Sequence, residues 1–317
     1  MKNHDQTQHM NQFPNSVVSS LFANFGFTVL TEIQKKASPI ILQKKDCLVI
    51  APTGSGKTEC SIIPIFSLVK KSKKLGKIKV LYITPLRALN RDVFRRITKY
   101  AQSNDLSIEI RHGDTTQTAR RKITESPPDV LITTPETLVI LLTQIKMLNA
   151  LSELEWIVID EVHELLGSER GSQLSLSIER LQINSKHYLT KIGLSATIGN
   201  FEEAGKFVAG TKRKCHIIRD TSVRKYDVEV KFVDGTISDV ADKIIEYVLE
   251  LNLDSPILLF TNTRGEAEFL ASILKEKSSI NIELHHGSLS KEVREDTELT
   301  LREGKRGIVV CTSSLEL

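Results

Sequence analysis

The chain has 317 residues and a net charge of +4, with 43 Lys and Arg against 39 Asp and Glu. This length predicts two domains, each large enough for its own core. An apolar fraction of 40% excludes a disordered or fibrous chain, and the mild basicity is compatible with nucleic acid without establishing it.

The first segment, residues 1–12, is polar and has no apolar run. It is therefore predicted to be disordered rather than a signal peptide. No later run is long enough to span a membrane. The four cysteines are scattered without metal-ligand spacing, so we interpret them as reduced thiols of a cytoplasmic protein, nucleoid-associated if it acts on DNA.

Helical spacing of apolar residues predicts one helix from about Pro14 that stops at Gly26, and a second from Thr31 to Leu42. A short apolar strand, Cys47–Ile50, follows. It leads into the glycine-rich sequence A-P-T-G-S-G-K-T at residues 51–58 and then a predicted helix from Lys57 to about Val69. A strand, a glycine-rich turn and a helix N-terminus in this order form a phosphate cradle.

In such a cradle, Lys57 would reach the β- and γ-phosphates, and the Thr58 hydroxyl would hold Mg²⁺. The alternative is a plain turn. Ala51 stands where the usual pattern has glycine, so the cradle requires that Ala51 avoid a positive φ. The lysines that follow, six between Lys70 and Lys79, favour a solvated loop over a phosphate-contacting patch.

Apolar runs then alternate with amphipathic stretches, which predicts a parallel sheet covered by helices on both faces. The predicted strands are Val80–Thr84, Ser107–Arg111, Val130–Thr133, Trp156–Asp160, Lys191–Leu194 and Cys215–Ile218. The predicted helices are Arg87–Tyr100, Pro135–Gln144, Gln173–Leu181 and Glu202–Val208. The first domain is assigned to residues 13–220.

A polar linker is predicted at 221–235, and a second α/β domain at 236–317. Val228–Phe232 alternates and suggests an extra strand. The remaining predicted elements are helix Ile237–Leu251, strand Ile257–Thr261, helix Gly265–Leu274, strand Ile280–His285, helix Ser290–Leu301 and strand Gly307–Cys311. The two halves look like two copies of one βα scheme.

Two carboxylates, Asp160 and Glu161, end the apolar strand Trp156–Asp160. Next to a phosphate loop, Asp160 can hold the Mg²⁺ that bridges ATP phosphates, and Glu161 can orient or deprotonate the attacking water. The alternative is an acidic helix start. After another strand comes the segment Ser195, Ala196 and Thr197, whose small hydroxyl residues could relay the state of the γ-phosphate to another surface.

The order A-P-T-G-S-G-K-T, P-L-R-A-L, T-T-P-E-T-L, D-E-V-H and S-A-T resembles superfamily-2 DExH-box helicases. The later segments L-L-F-T-N-T-R, H-H-G-S-L-S and S-S-L-E-L resemble the large-helicase-related (Lhr-like) family of DNA helicases. This resemblance implies an α/β fold of two RecA-like domains, the second incomplete. It implies ATP and Mg²⁺ as cofactors, and 3′→5′ movement on nucleic acid.

The resemblance also assigns roles to residues. The ATP contacts that it implies are Gln34, which would read the adenine, with Thr53, Gly54, Ser55, Gly56, Lys57 and Thr58; Phe27 would pack near the base. Lys57, Asp160, Glu161 and His163 are the implied catalytic residues, with His163 linking the ATP site to Ser195–Thr197. The implied nucleic-acid contacts are Pro85, Arg87, Thr134, Pro135, Glu136, Thr261, Asn262, Ser288, Thr312 and Ser313, with a further loop at Arg111, His112, Gly113 and Asp114.

The sequence ends at Leu317, before the arginine motif found in relatives. We therefore expect a fragment or a curtailed chain with weak activity, a loosely folded second half, and strand Gly307–Cys311 exposed without its later neighbours. The expected partner is single-stranded DNA or a duplex with a single-stranded tail, with RNA or an RNA:DNA hybrid as alternatives. An ATP- and nucleic-acid-binding module without unwinding, or a related RNA helicase, remain the alternative functions.

Overall fold

The computed structural model describes residues 15–72, 74–85, 87–196, 198–220, 228–251 and 255–312. The chain divides into two compact units, unit 1 (residues 1–223) and unit 2 (residues 224–317). The predicted disordered segment, 1–12, and the first part of the predicted linker, 221–227, lie outside the described residues. No helix within the described ranges is both long enough and apolar enough to cross a membrane.

Unit 1 is built on a parallel seven-stranded sheet in the order β3-β4-β2-β5-β6-β1-β7. Its strands are β1 Cys47–Ile50, β2 Val80–Ile83, β3 Ile108–Arg111, β4 Val130–Thr133, β5 Trp156–Ile159, β6 Thr190–Ser195 and β7 His216–Arg219. Its helices are α1 Asn15–Ala23, α2 Glu32–Leu42, α3 Lys57–Val69, α4 Arg87–Gln102, α5 Gln117–Glu125, α6 Pro135–Leu141, α7 Ile145–Ala150, α8 Val162–Leu165, α9 Glu169–Asn184 and α10 Phe201–Ala209.

The sheet of unit 1 is buried on both faces, as the continuous apolar strands predict. Successive residues of one strand enter opposite cores: Tyr82 packs with the α2–α3 side, whereas Leu81 packs with the α6–α9 side. Helices α5, α7 and α8 were not predicted, because they are short and carry few buried apolar residues. The α/β class with parallel, helix-covered sheets is confirmed.

Unit 2 contains a parallel three-stranded sheet in the order β8-β10-β9. Its elements are α11 Ile237–Leu251, β8 Ile257–Phe260, α12 Arg264–Lys277, β9 Ile282–His285, α13 Lys291–Arg302 and β10 Ile308–Cys311. The expectation that the last strand is exposed is wrong. Strand β10 enters between β8 and β9, and all four of its residues are buried.

The extra strand predicted at Val228–Phe232 is also wrong. Within the described part of the chain the segment pairs with no strand, and Val228, Val230 and Phe232 are 75%, 91% and 91% exposed. Alternation of apolar and polar residues predicts a strand only where a sheet offers an edge and a core to cover the apolar face.

The lysine-rich segment after α3 contacts the acidic residues of its own unit. Lys79 is buried and its Nζ lies 3.1 Å from Glu155 Oε1 and 3.6 Å from Glu153 Oε2. Lys74 also pairs with Glu153, at 3.1 Å. Paired charges of this kind hold a loop against the sheet, so part of the segment is structural rather than only solvated.

Candidate functional site

The phosphate loop lies between the carboxyl end of β1 and the first residue of α3. Gly54 and Gly56 have φ of 72° and 86°, which side chains with a Cβ rarely adopt. Ala51 is buried and is not among the residues with positive φ. The substitution of alanine for the usual glycine therefore fits the loop, as the cradle interpretation requires.

The side chain of Lys57 is hydrogen-bonded to the phosphate loop itself. Its Nζ donates to the carbonyl oxygens of Ala51, at 2.7 Å, and Pro52, at 3.2 Å. Lys57 and Thr58 are each only 8% exposed. The ammonium group is thus already oriented along the loop, and a bound phosphate would share or replace these carbonyl contacts.

The start of α2 contacts the phosphate loop directly. Thr31 caps α2, its hydroxyl donates to Ser55 O at 2.9 Å, and its N–H donates to Gln34 Oε1 at 3.0 Å. Gly56 has a positive φ, and a Cβ there would lie 2.4 Å from Gln34 Nε2, so any other residue would be strained and would displace this side chain. Gln34, predicted as the adenine-reading residue, is therefore adjacent to the loop that would hold the phosphates.

A cavity of about 570 Å³ opens beside this contact. Its lining includes Ser19, Ala23, Gly26, Phe27, Thr28, Val29, Leu30 and Lys35. Phe27 packs edge-to-face on Phe22, with ring centroids 5.5 Å apart. Phe27, which was expected to pack near the base, therefore lines a cavity that extends to Leu30 and Lys35 at the start of α2.

Asp160 follows β5, two strands from the phosphate loop across β6. It is 6% exposed, and burial raises the pKa of its carboxyl group, while hydrogen bonds act in the opposite direction. Asp160 Oδ2 accepts the Tyr82 hydroxyl at 2.5 Å, and Oδ1 accepts the Glu161 N–H at 3.0 Å. Both oxygens are thus fixed in one orientation.

Glu161 has φ 45° and ψ 52°, in the left-handed region. A residue other than glycine costs about 1–3 kcal/mol in such a conformation, which persists where the surroundings impose it. His163 Nδ1 lies 3.3 Å from Glu161 Oε2 and 3.0 Å from Ser195 Oγ. His163 therefore joins the acidic turn after β5 to the end of β6. Ala196 continues that segment, and Thr197 lies outside the described residues.

A magnesium ion that arrives with ATP fits this arrangement. Among the residues that the structure describes, no cluster of three or more His, Cys, Asp or Glu could hold a metal alone. Mg²⁺ is usually bound by one or two protein ligands together with substrate phosphates. Buried Asp160 and Thr58, both close to Tyr82, supply such a partial set.

The predicted nucleic-acid segments of unit 1 lie at the other half of the same sheet edge. Pro85 follows β2, Arg111–Asp114 end and follow β3, and Thr134–Glu136 follow β4. Thr134 is 3% exposed, and its hydroxyl donates to Thr137 Oγ1 at 3.0 Å while capping α6. Thr134 is thus better placed to shape the turn than to donate to a phosphate. The Arg87 backbone begins α4; its side chain lies outside the described part of the structure.

Arg170, on the first turn of α9, was missed by the sequence analysis. Its Nε donates to Glu136 Oε1 at 2.5 Å and its terminal nitrogen donates to Pro85 O at 2.6 Å. Burial raises the pKa of Glu136, but hydrogen bonds, with Arg170 first, outweigh this and lower the pKa overall. The adjacent Gly171 is required, because a Cβ there would lie 2.0 Å from Leu165 O.

In unit 2, the predicted contacts follow the ends of the three strands. The Thr261 hydroxyl donates to Thr263 O at 3.1 Å, next to Asn262, and Thr312 is 8% exposed after β10. The Ser288 hydroxyl accepts from Arg264 after β9. Ser313 lies outside the described residues.

Comparison with known proteins gives matches over both units. The DEAD/DEAH box helicase family matches residues 31–204, and the helicase conserved C-terminal domain matches residues 239–317. The ATP-dependent helicase Lhr-Core of Saccharolobus solfataricus is 36% identical over 92% of this chain. The chain spans 36% of the length of that relative.

Solved helicase structures also match nearly the whole chain. The helicase Lhr of Mycobacterium smegmatis, bound to ssDNA and AMP-PNP, matches with a TM-score of 0.76 and 34% identity over 95% of this chain and 42% of that one. Dbp5 of S. cerevisiae, bound to RNA and ADP BeF3, matches with a TM-score of 0.70 over 96% of this chain and 75% of that one. At 19% identity, the second match shows the fold alone.

Proposed function

Because this chain belongs to the DEAD/DEAH box helicase family, we propose that it is the ATP-driven motor segment of a DNA helicase that moves along single-stranded DNA. What supports this most is the order of strands β5-β6-β1. Parallel strands end at one edge of a sheet, so the phosphate loop, Ser195 and Asp160 lie side by side there. The loop would bind the phosphates, Asp160 would bind the metal ion, and Ser195 would respond to the state of the γ-phosphate. A phosphate-binding loop and a metal ligand are what ATP hydrolysis needs.

In this proposal, the loop N–H groups and Lys57 hold the ATP phosphates, and Thr58 and Asp160 hold Mg²⁺. The bound Mg²⁺ would neutralise charge on the phosphate oxygens. Gln34 and the surface of Phe27 would hold the adenine. These contacts position ATP before any bond breaks, which is most of what a phosphoryl-transfer site supplies.

Glu161 is the proposed residue that orients the attacking water and takes its proton. Its left-handed backbone turns the side chain away from the strand direction, toward His163. His163 in turn contacts Ser195. A change at Glu161 on hydrolysis would thus be transmitted to the Ser195 segment by one side chain.

The nucleic acid is proposed to lie along the ends of β2, β4 and β3 in unit 1 and along the Thr261 and Ser288 turns in unit 2. Hydroxyls, amides and N–H groups there suit phosphate oxygens, which are the same in every sequence. Single-stranded DNA, or a duplex with a single-stranded tail, is the proposed substrate, with movement 3′→5′. The relative with 34% identity was solved with ssDNA, which favours DNA over RNA.

ATP turnover with no nucleic acid, with single-stranded DNA and with single-stranded RNA tests the proposal. We expect DNA to stimulate turnover more than RNA, and Glu161→Gln to abolish the stimulated rate. If RNA stimulates turnover more than DNA does, the substrate is RNA and the DNA assignment is wrong. ATP binding without any stimulation would instead indicate a binding module.

A further inference from the structure

Tyr82 lies on β2, directly beside β5, and its ring is completely buried. Its hydroxyl donates to Asp160 Oδ2 at 2.5 Å, and Thr58 lies nearby. One phenol therefore anchors the carboxylate that the proposed function assigns to Mg²⁺ and lies close to the second proposed ligand, Thr58. The sequence gives no sign of this, because Tyr82 lies 78 residues from Asp160 within an apolar strand.

A buried phenol needs a hydrogen-bond partner, and a backbone carbonyl would satisfy it. Tyr82 instead uses a carboxylate oxygen, and the other oxygen of Asp160 is used by the Glu161 N–H. Each carboxylate oxygen has about two lone-pair positions. One position on each oxygen therefore remains for a metal ion or a water bound to it, while the rotamer of the side chain is fixed.

Building on the proposed function, we propose that Tyr82 is a positioning residue for magnesium–ATP, holding Asp160 in the orientation that receives the ion. Without the hydroxyl, Asp160 keeps its charge but loses one of its two anchors. A carboxylate that must be ordered on binding gives a weaker site than one already ordered. The loss falls on Mg²⁺ and not on the phosphate loop, because Lys57 is held by Ala51 and Pro52.

The test is the Mg²⁺ dependence of ATP binding in Tyr82→Phe, which removes only the hydroxyl. Affinity for a fluorescent ATP analogue is titrated over a Mg²⁺ series and in EDTA. We expect the Mg²⁺ midpoint to rise about tenfold, equivalent to about 1.4 kcal/mol, with affinity in EDTA unchanged. Tyr100→Phe is the matched control, since Tyr100 also lies near a carboxylate, Glu59, elsewhere on α3.

A second pair of variants separates positioning from packing. Asp160→Asn removes the charge that Tyr82 positions, so adding Tyr82→Phe to it should leave the Mg²⁺ midpoint unchanged. This pair also decides the matter if Tyr82→Phe alone unfolds, because neutral Asn is tolerated better without a buried donor. An unchanged midpoint in Tyr82→Phe, or an additive shift in the double variant, would overturn the role of Tyr82. If the parent chain binds ATP equally with and without Mg²⁺, the proposed magnesium site itself is wrong.

Discussion

Unit 1 and unit 2 share a turn but differ in the phosphate loop. At the end of edge strand β3, His112 Nδ1 accepts the N–H of Asp114 at 3.1 Å, and Thr116 caps α5. At the end of edge strand β9, His286 Nδ1 accepts the N–H of Ser288 at 3.3 Å. There, Ser290 caps α13. Both turns have the sequence H-G-x-x-[ST].

The pattern G-x-G-K-T occurs once, in unit 1. Both units therefore carry the same turn after an edge strand. They differ in the segment that would bind ATP, which is found only in unit 1. Under the proposed function, nucleic acid lies at matching turns in both units, while hydrolysis depends on the side chains of unit 1.

The largest effect is expected from Glu161→Gln. Gln keeps the size of the side chain but cannot accept a proton from water, so ATP hydrolysis should fall by about 10²–10⁴. ATP affinity should change by less than about threefold, because the phosphate contacts remain. Steady-state turnover and equilibrium titration measure the two quantities. Glu164→Gln is the control, since Glu164 also faces His163, at 3.5 Å, and is more exposed. If Glu161→Gln hydrolyses ATP at the same rate as the parent, Glu161 is not the residue that activates the attacking water.

Lys57→Ala should weaken ATP binding by about tenfold to a hundredfold, because a charged hydrogen bond contributes about 1.5–3 kcal/mol. Isothermal titration measures the affinity directly. Lys71→Ala removes the same charge from an exposed residue after the other end of α3 and should leave the affinity unchanged. If both lysine variants bind ATP as the parent does, the glycine-rich turn is not a phosphate cradle.

The ATP half of the sheet edge was largely predictable from sequence. Its parts are local: a strand, two glycines with positive φ and a lysine are consecutive, and Asp160 and Glu161 directly end a strand. Family resemblance added Gln34 and His163; in the structure, Gln34 lies against Gly56 of the loop and His163 contacts Ser195. Local chemistry of this kind depends on few residues, so a short pattern specifies it.

The remaining features depend on packing between distant segments. Tyr82 contacts Asp160, 78 residues away in sequence, and Arg170 contacts Pro85, 85 residues away. The spacing of apolar residues predicts neither contact. The central position of β10 was missed for the same reason, because strand order is set by crossover connections rather than by the composition of one strand. Arg170 has one sequence signal, the glycine after it, which is needed for close approach to Leu165.

Arg170→Ala should weaken binding of single-stranded DNA about threefold to tenfold, since each lost hydrogen bond contributes about 0.5–1.5 kcal/mol. The free Glu136 carboxylate would then repel the phosphates, so adding Glu136→Gln should restore part of the affinity. Fluorescence anisotropy over a salt series measures both. Arg180→Ala is the control, because Arg180 lies on the same helix and donates to Leu142 O instead. No recovery in the double variant would mean that Arg170 does not act through Glu136.

The smallest effect is expected in the shared turns. His286→Ala removes the acceptor of the Ser288 N–H and should weaken DNA binding about twofold to fivefold, from one hydrogen bond of about 0.5–1 kcal/mol. His286→Asn should restore it, because asparagine offers an acceptor at the same distance from the backbone. The same pair of variants at His112 should give the same result in unit 1, with ATP affinity unchanged in all four.

Combining the alanine variants of His112 and His286 tests whether both turns position phosphates, which neither variant tests alone. If both turns position phosphates, the two alanine variants together should weaken binding by the product of their separate effects, since distant sites add in free energy. The salt dependence of binding should stay the same, because no cation that contacts a phosphate has been removed. A loss at His112 without one at His286 would instead mean that the shared sequence shapes the two turns alike but that nucleic acid contacts only unit 1.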